Sequence, residues 1–137
     1  MEIFLDMSPV QAAALQVGLL IVLMLGLKLY VGNRRGKLKV PSGDLSHPEF
    51  GRATRIQLNA VEDVPVLMVG IVALAALGMP AWYIHAAGLV LLVSRIGHAT
   101  GLASSSGFSW GRALGTVGTL LVYLAVAGAL LVHAFTP

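Results

Sequence analysis

The 137-residue sequence has no cysteine and few charges, with Asp, Glu, Lys and Arg together making up 11% of it. Without cysteine there can be no disulfide, no thiolate metal ligand and no cysteine nucleophile, so any sulfur chemistry must arrive with a substrate. His85, His98 and His133 have no second histidine or acid at ligand spacing, and no metal site is expected. Soluble domains carry about a quarter charged residues, a composition this chain does not approach. The turn around Gly78 to Ala81 is uncharged, and the C-terminal HAFTP has no Lys or Arg. The first apolar run, Gln11 to Val31, lacks the basic start and small-residue cleavage site of a secretory signal and is expected to stay in the mature protein.

What is present is apolar length. Hydrophobic residues make up 57% of the chain, in four runs long enough to cross a bilayer. The expected fold is all-α, a single-domain four-helix transmembrane bundle with spans near residues 10–31, 52–77, 81–102 and 111–135. Residues 32–49, with Gly32, Gly36, Pro41, Gly43 and Pro48, are expected to form an irregular loop. Gly78-Met79-Pro80 should end the second helix in a tight turn. All nine basic residues lie near the first and third connections, so the positive-inside rule puts those connections in the cytoplasm and both termini outside. The RRGKLK cluster fits a topology determinant or an anionic-lipid contact better than a nucleic-acid site.

The unusual stretch is RATRIQLNAVEDVP, residues 52–65. On a helix, Arg52, Arg55, Asn59 and Glu62 fall at spacings of three, four and three and share one stripe, with Asp63 on its shoulder. Charges inside a span face protein or pair with one another, so this stripe is expected to point into the bundle as a binding site. The alternative is structural pairing between helices, Arg55 with Glu62 or Arg52 with Asp63. Pro65 removes one backbone donor beside Glu62 and is expected to bend the helix. In span three Arg95 and His98 lie three apart on one face, and Arg112 begins span four. Gly97 with Gly101, and Gly111 with Gly115, are small-residue pairs that permit close helix approach. Together with Arg34 these groups form an expected arginine-rich site at the cytoplasmic end. Guanidinium forks hold carboxylates while Asn59 and Glu62 could hold an amine, so a zwitterionic peptide would satisfy the set.

The segment PEFGRATRIQLNAVEDVP resembles the membrane-associated proteins in eicosanoid and glutathione metabolism. The family form, Arg-x-x-x-Asn-x-x-Glu with Pro three residues later, is met by Arg55, Asn59, Glu62 and Pro65. Arg34, and Arg95 within SRIGHATG, match further family positions, and HPEF and RIGHATGL look most like its bacterial branch. The resemblance implies a homotrimer in the bacterial inner membrane, with glutathione as co-substrate between subunits and a lipophilic acceptor entering from the bilayer. It implies glutathione contacts from Arg34, Arg55, Asn59, Glu62 and Arg95. Three positions depart from the family: His98 and Leu102 stand where many members have an aromatic and a tyrosine, and Ser109 aligns with the span-four arginine of the synthases. Arg112, three residues on, is the first choice for the cation beside the sulfur and Arg95 the second, with His98 as a candidate proton donor.

The leading expectation is a glutathione-dependent transferase or peroxidase acting on lipophilic electrophiles or lipid hydroperoxides. A second reading, fed by Leu102 and Ser109, is a catalytically silent binding or accessory subunit of a membrane assembly. A third, a small multidrug transporter using Glu62, fits less well because that acid lies among arginines near one membrane face.

Overall fold

The structure, a computed structural model, describes residues 6–41, 44–105 and 107–136. Four helices follow in order: α1 Pro9–Leu38, α2 Pro48–Ala76, α3 Ala81–Ser104 and α4 Trp110–Phe135. Each is long and apolar enough to cross a membrane. At 1.5 Å per residue even the 24-residue α3 spans about 36 Å, more than a hydrocarbon core of about 30 Å.

The helix ends follow from local chemistry. Ser8 caps α1 in a reciprocal box with Gln11, and Pro9 occupies the first turn, where a missing amide hydrogen costs nothing. Pro48 plays the same part in α2, so it begins a helix instead of interrupting the loop. α1 likewise runs through Gly32 and Gly36 to Leu38, six residues or more into the segment expected to be irregular. Two glycines cost a helix about 1 kcal/mol each, and the neighbouring Arg34, Arg35, Lys37 and Leu38 are good helix formers. The stop comes at Lys39, which takes a left-handed conformation (φ 52°) and returns its amide to Arg35 and Gly36. In the short connection Asp44 accepts hydrogen bonds from the Ser46 side chain and amide, which hold its carboxyl below the ordinary range. At the opposite end, Gly78 (φ 81°) provides the positive-φ residue that closes α2, as Gly78-Met79-Pro80 implied. α2 stays helical through Pro65.

Packing centres on α2. Phe50, Ala53, Ile56, Ala60, Val64, Leu67, Ile71 and Leu74 recur at three and four residues and are all buried. From Ile56 to Leu74 this row meets Leu20 of α1 and Ile84 and Leu91 of α3 in one apolar core. α4 buries only Gly115, Thr119, Val122 and Val126, and its outer face, with Leu114, Leu124 and Phe135, is apolar and uncovered, as for a helix bathed in lipid. The glycine pairs seat α4 on α3: a methyl at Gly101 would stand 2.5 Å from the Arg112 amide, and one at Gly111 2.7 Å from the Gly97 carbonyl.

Polar bonds between helices fix the register. Near the end that holds the Gly78 turn, Gln16 of α1, 2% exposed, meets His85 Nδ1 of α3 at 2.9 Å. Tyr83 Oη of α3 donates to the Ala125 carbonyl of α4 at 2.8 Å. Gln16 is four residues from both Ala12 and Leu20, on the buried face of α1, and that position is the only sequence signal for its role.

Candidate functional site

The end of the bundle that holds the α1–α2 and α3–α4 connections carries the arginines, and these divide by whether an acid reaches them. Arg34 Nη1 of α1 lies 2.5 Å from Glu49 Oε1 in the first turn of α2, with its guanidinium 5.4 Å above the Tyr30 ring. Glu49 sits where a helix N-terminus favours an acid, and the pair ties the long end of α1 to the start of α2. Arg34 is thus occupied by an intrachain partner instead of being free for an anion.

Arg95 of α3 is 3% exposed and pairs with Asp63 at 2.6 Å. Thr119 Oγ1 accepts from the same Nη1 at 3.4 Å while donating to the Gly115 carbonyl at 2.8 Å. Tyr123 Oη donates to the other Asp63 oxygen at 3.2 Å. α2, α3 and α4 therefore meet at one polar knot. Helical pairing of Asp63 with Arg52 does not occur; the partner comes from another helix. Because Asp63 is one residue round from Glu62, it turns inward while Glu62 is exposed. His98, one turn from Arg95, is 7% exposed. It joins Asn59, Asp63, Arg95 and Tyr123 around a small cavity of about 170 Å³.

Three of the other arginines converge elsewhere. Arg52 and Arg55 of α2 and Arg112 of α4 line a larger cleft of about 480 Å³, together with Thr54 and apolar surface from Leu45, Pro48, Leu58 and Leu102. No acid lines it. Among the described residues none of these three guanidinium groups has an ion pair or hydrogen bond. Arg112 reaches the cleft because Ser109 is the N-cap of α4 and its hydroxyl accepts from the Arg112 amide at 3.3 Å. Ser109 thus belongs to the helix cap, and Arg112 is the α4 cation at this site. Leu102 supplies an apolar wall.

The sequence stripe is therefore divided. Arg52 and Arg55 line the large cleft, Asn59 lines the inner cavity with Arg95 and His98, and Glu62 lies on the outer face of α2. The inward expectation for the whole stripe fails because the buried face of α2 is the neighbouring apolar row, Ile56, Ala60 and Val64, and Arg55 and Glu62 lie off it. The knot at Asp63 was not legible from its spacing, since the stripe rule gives faces of one helix and not which helix lies opposite. Among the described residues no cluster of three or more metal-ligating side chains occurs.

Four apolar helices, three of which line an arginine-bearing cleft, define a small multi-pass membrane protein. The model of the MAPEG family matches residues 13–132, and the chain belongs to that family. It is 32% identical over 100 residues to the inner membrane protein YecN of Escherichia coli strain K12, a match covering 73% of this chain and 76% of YecN. YecN of Escherichia coli O6:H1 matches to the same extent. With its four spans, the protein is an integral, multi-pass protein of the inner membrane.

Proposed function

We propose that the protein is a glutathione-dependent transferase or peroxidase, working on lipophilic electrophiles or lipid hydroperoxides, with the large cleft as its glutathione site. The observation that carries this reading is the convergence of Arg52, Arg55 and Arg112 on a cleft with no acid of its own. Three guanidinium groups without counter-ions around one cleft sum to a positive field that favours an anionic ligand. Guanidinium forks match the two carboxylates of glutathione. The basic ends of the helices face the cytoplasm in this reading, where reduced glutathione is available, and both termini lie outside.

The chemistry asks little of the protein. A cation beside the thiol favours the thiolate, each unit of pKa lowering being worth about 1.4 kcal/mol, and Arg112 is the group for that task. The thiolate sulfur attacks an electrophilic carbon held against Leu58 and Leu102, a carbon–sulfur bond forms, and the leaving group departs with its electron pair. The thiol proton passes to water at the cleft mouth. Orientation and fixed positive charge supply the rate. Family membership supports a homotrimer, and the exposed charges Arg55 and Glu62 on α2 are of the kind a neighbouring copy would cover.

Titration calorimetry of the detergent-solubilised protein tests the reading. Glutathione should bind, and Arg55→Ala and Arg112→Ala should each weaken it about tenfold or more, the loss of one charge-assisted contact of about 1.5–3 kcal/mol. Absence of binding would exclude it. A second reading, a silent accessory subunit, is favoured by Leu102, which puts an apolar wall where the family resemblance places a tyrosine hydroxyl. Binding with neither conjugation of a generic electrophile nor reduction of a lipid hydroperoxide would select that one.

A further inference from the structure

α1 is longer than a membrane needs, and its surplus is basic. The helix has 30 residues and extends about 45 Å, against a hydrocarbon core of about 30 Å. Its height is fixed by the bond between Gln16 and His85, because α1 and α3 cross the bundle in the same direction. Trp82, near the start of α3, and the Phe108–Trp110 ring pair just beyond its end are exposed aromatics of the kind that mark the two membrane interfaces. From Trp82 to Ser104 the helix covers about 33 Å, which fits that placement. Ser104 lies 19 residues beyond His85, and Arg35 lies 19 residues beyond Gln16. Arg35 is therefore about level with the second interface. Lys37 and Lys39 follow about 3 and 6 Å further on, inside a headgroup layer about 5–7 Å deep.

Arg35, Lys37 and Lys39 are exposed, and among the described residues their side chains have no ion pair or hydrogen bond. A neighbouring copy cannot supply the missing acids. All nine basic residues stand toward this end against four acids, Asp44, Glu49, Glu62 and Asp63, so each copy brings an excess of five positive charges however many assemble. Glu49 and Asp63 are already paired with Arg34 and Arg95. The partial charge of about −0.5 at the C-terminus of α1 offsets only a fraction of three cations. A ligand in the large cleft would meet Arg52, Arg55 and Arg112, and none of the three α1 cations lines that cleft.

We propose that the end of α1 is a binding surface for anionic phospholipid headgroups of the leaflet it enters. Arg35 and Lys37 project to nearly opposite sides of the helix, so the three cations cannot close on one ion and instead form a belt in which each meets a separate phosphodiester. Lys28, exposed and seven residues before Arg35 on the same face, lies about 10 Å deeper and can extend its ammonium towards the same layer. A polynucleotide would have to displace lipid to reach this depth. Each cation near an anionic surface is worth a factor of about five in local lipid affinity. The claim stands whatever the large cleft binds.

The experiment is native mass spectrometry of the full-length protein in mild detergent, offered equal amounts of phosphatidylglycerol and phosphatidylcholine. The wild type should carry phosphatidylglycerol in preference by about fivefold or more. Arg35→Gln/Lys37→Gln/Lys39→Gln should bring the ratio to about twofold or less, and the charge-keeping Arg35→Lys/Lys37→Arg/Lys39→Arg should retain it. The wild-type preference should also fall several-fold as ammonium acetate is raised from about 0.05 to 0.5 M, and this series decides the matter if the glutamine variant does not fold. Equal binding of the two lipids by the wild type, a preference indifferent to salt, or one that survives in the glutamine variant overturns the proposal. Inorganic phosphate that displaces the lipid better than chloride at equal ionic strength would make this a free-anion site, and displacement by a single-stranded oligonucleotide would assign it to nucleic acid. Either result removes the headgroup as the partner.

Discussion

The polar knot at Asp63 and Arg95 allows a quantitative test of which arginines hold the bundle together. Asp63→Asn leaves Arg95 charged, 3% exposed and without its acid; Arg95→Gln leaves a carboxylate among three helices. Breaking a buried pair by removing one partner costs about 3–5 kcal/mol. Asp63 keeps 30% of its side chain exposed, so partial hydration relieves some of this, and about 2–4 kcal/mol is expected for each single variant. Asp63→Asn/Arg95→Gln removes both charges and keeps amides of similar size that can bond each other and Thr119. Its cost should be about 1 kcal/mol, so the double-mutant cycle should return a favourable coupling of roughly 3 kcal/mol or more. The assay is reversible unfolding in mixed detergent micelles followed by far-ultraviolet circular dichroism. Single variants that each lose less than about 1 kcal/mol, or a double variant that loses their sum, would refute the assignment of this pair to the fold. Because both residues lie outside the large cleft, the double variant should also keep glutathione affinity within about threefold of wild type. A greater loss would return Arg95 to the ligand set that the family resemblance gave it.

Three further outcomes follow from the same contacts. Gly115→Ala should destabilise by about 1–3 kcal/mol, because the added methyl meets the Ser94 carbonyl and lies 2.7 Å from the His98 amide, whereas Gly26→Ala, with nothing within 4 Å, should be neutral or stabilise by up to about 1 kcal/mol; the same unfolding assay reads both. Tyr123→Phe removes the hydroxyl that donates to Asp63 at 3.2 Å and should cost about 1 kcal/mol, with no change in glutathione affinity by calorimetry. Raising ionic strength from about 0.05 to 0.5 M should weaken glutathione binding several-fold, since the interaction is between charges in an open cleft; an affinity indifferent to salt would speak against three guanidinium contacts.

The architecture was readable because hydrophobic length and turn residues encode it directly. The spans and the Gly78 turn needed no tertiary information, and the glycine pairs of α3 and α4 pack as their spacing implied. The loop boundaries were less legible, since Gly32, Gly36 and Pro48 are breakers only by context: a glycine with open space around it merely weakens a helix, and a proline in the first turn begins one. The site was legible as a set of residue types but not as a set of partners. A helical stripe tells which residues of α2 share a face, yet whether Asp63 meets Arg52 or Arg95 depends on the angle at which α3 crosses, and neither sequence contains that angle locally. The same limit hid Gln16, whose one partner lies 69 residues away.

The division of the arginines gives the bundle its logic. An uncompensated cation near the membrane is unfavourable, so evolution has two ways to keep one: provide an acid, or leave it for a ligand. Arg34 and Arg95 have the first, each bonded to an acid of α2, and together they fix α1 and α3 against the helix at the centre of the core. Arg52, Arg55 and Arg112 have the second arrangement, and two helices that the knot at Asp63 also joins present them to one cleft. Replacing an acid of a structural pair should loosen the fold first and the site as a consequence, while replacing an arginine of the cleft should relieve repulsion among the three and leave the fold as stable or slightly more so. Stability and affinity should thus move in opposite directions for Arg55→Ala and Arg112→Ala, a pattern that a purely structural role for these residues would not produce.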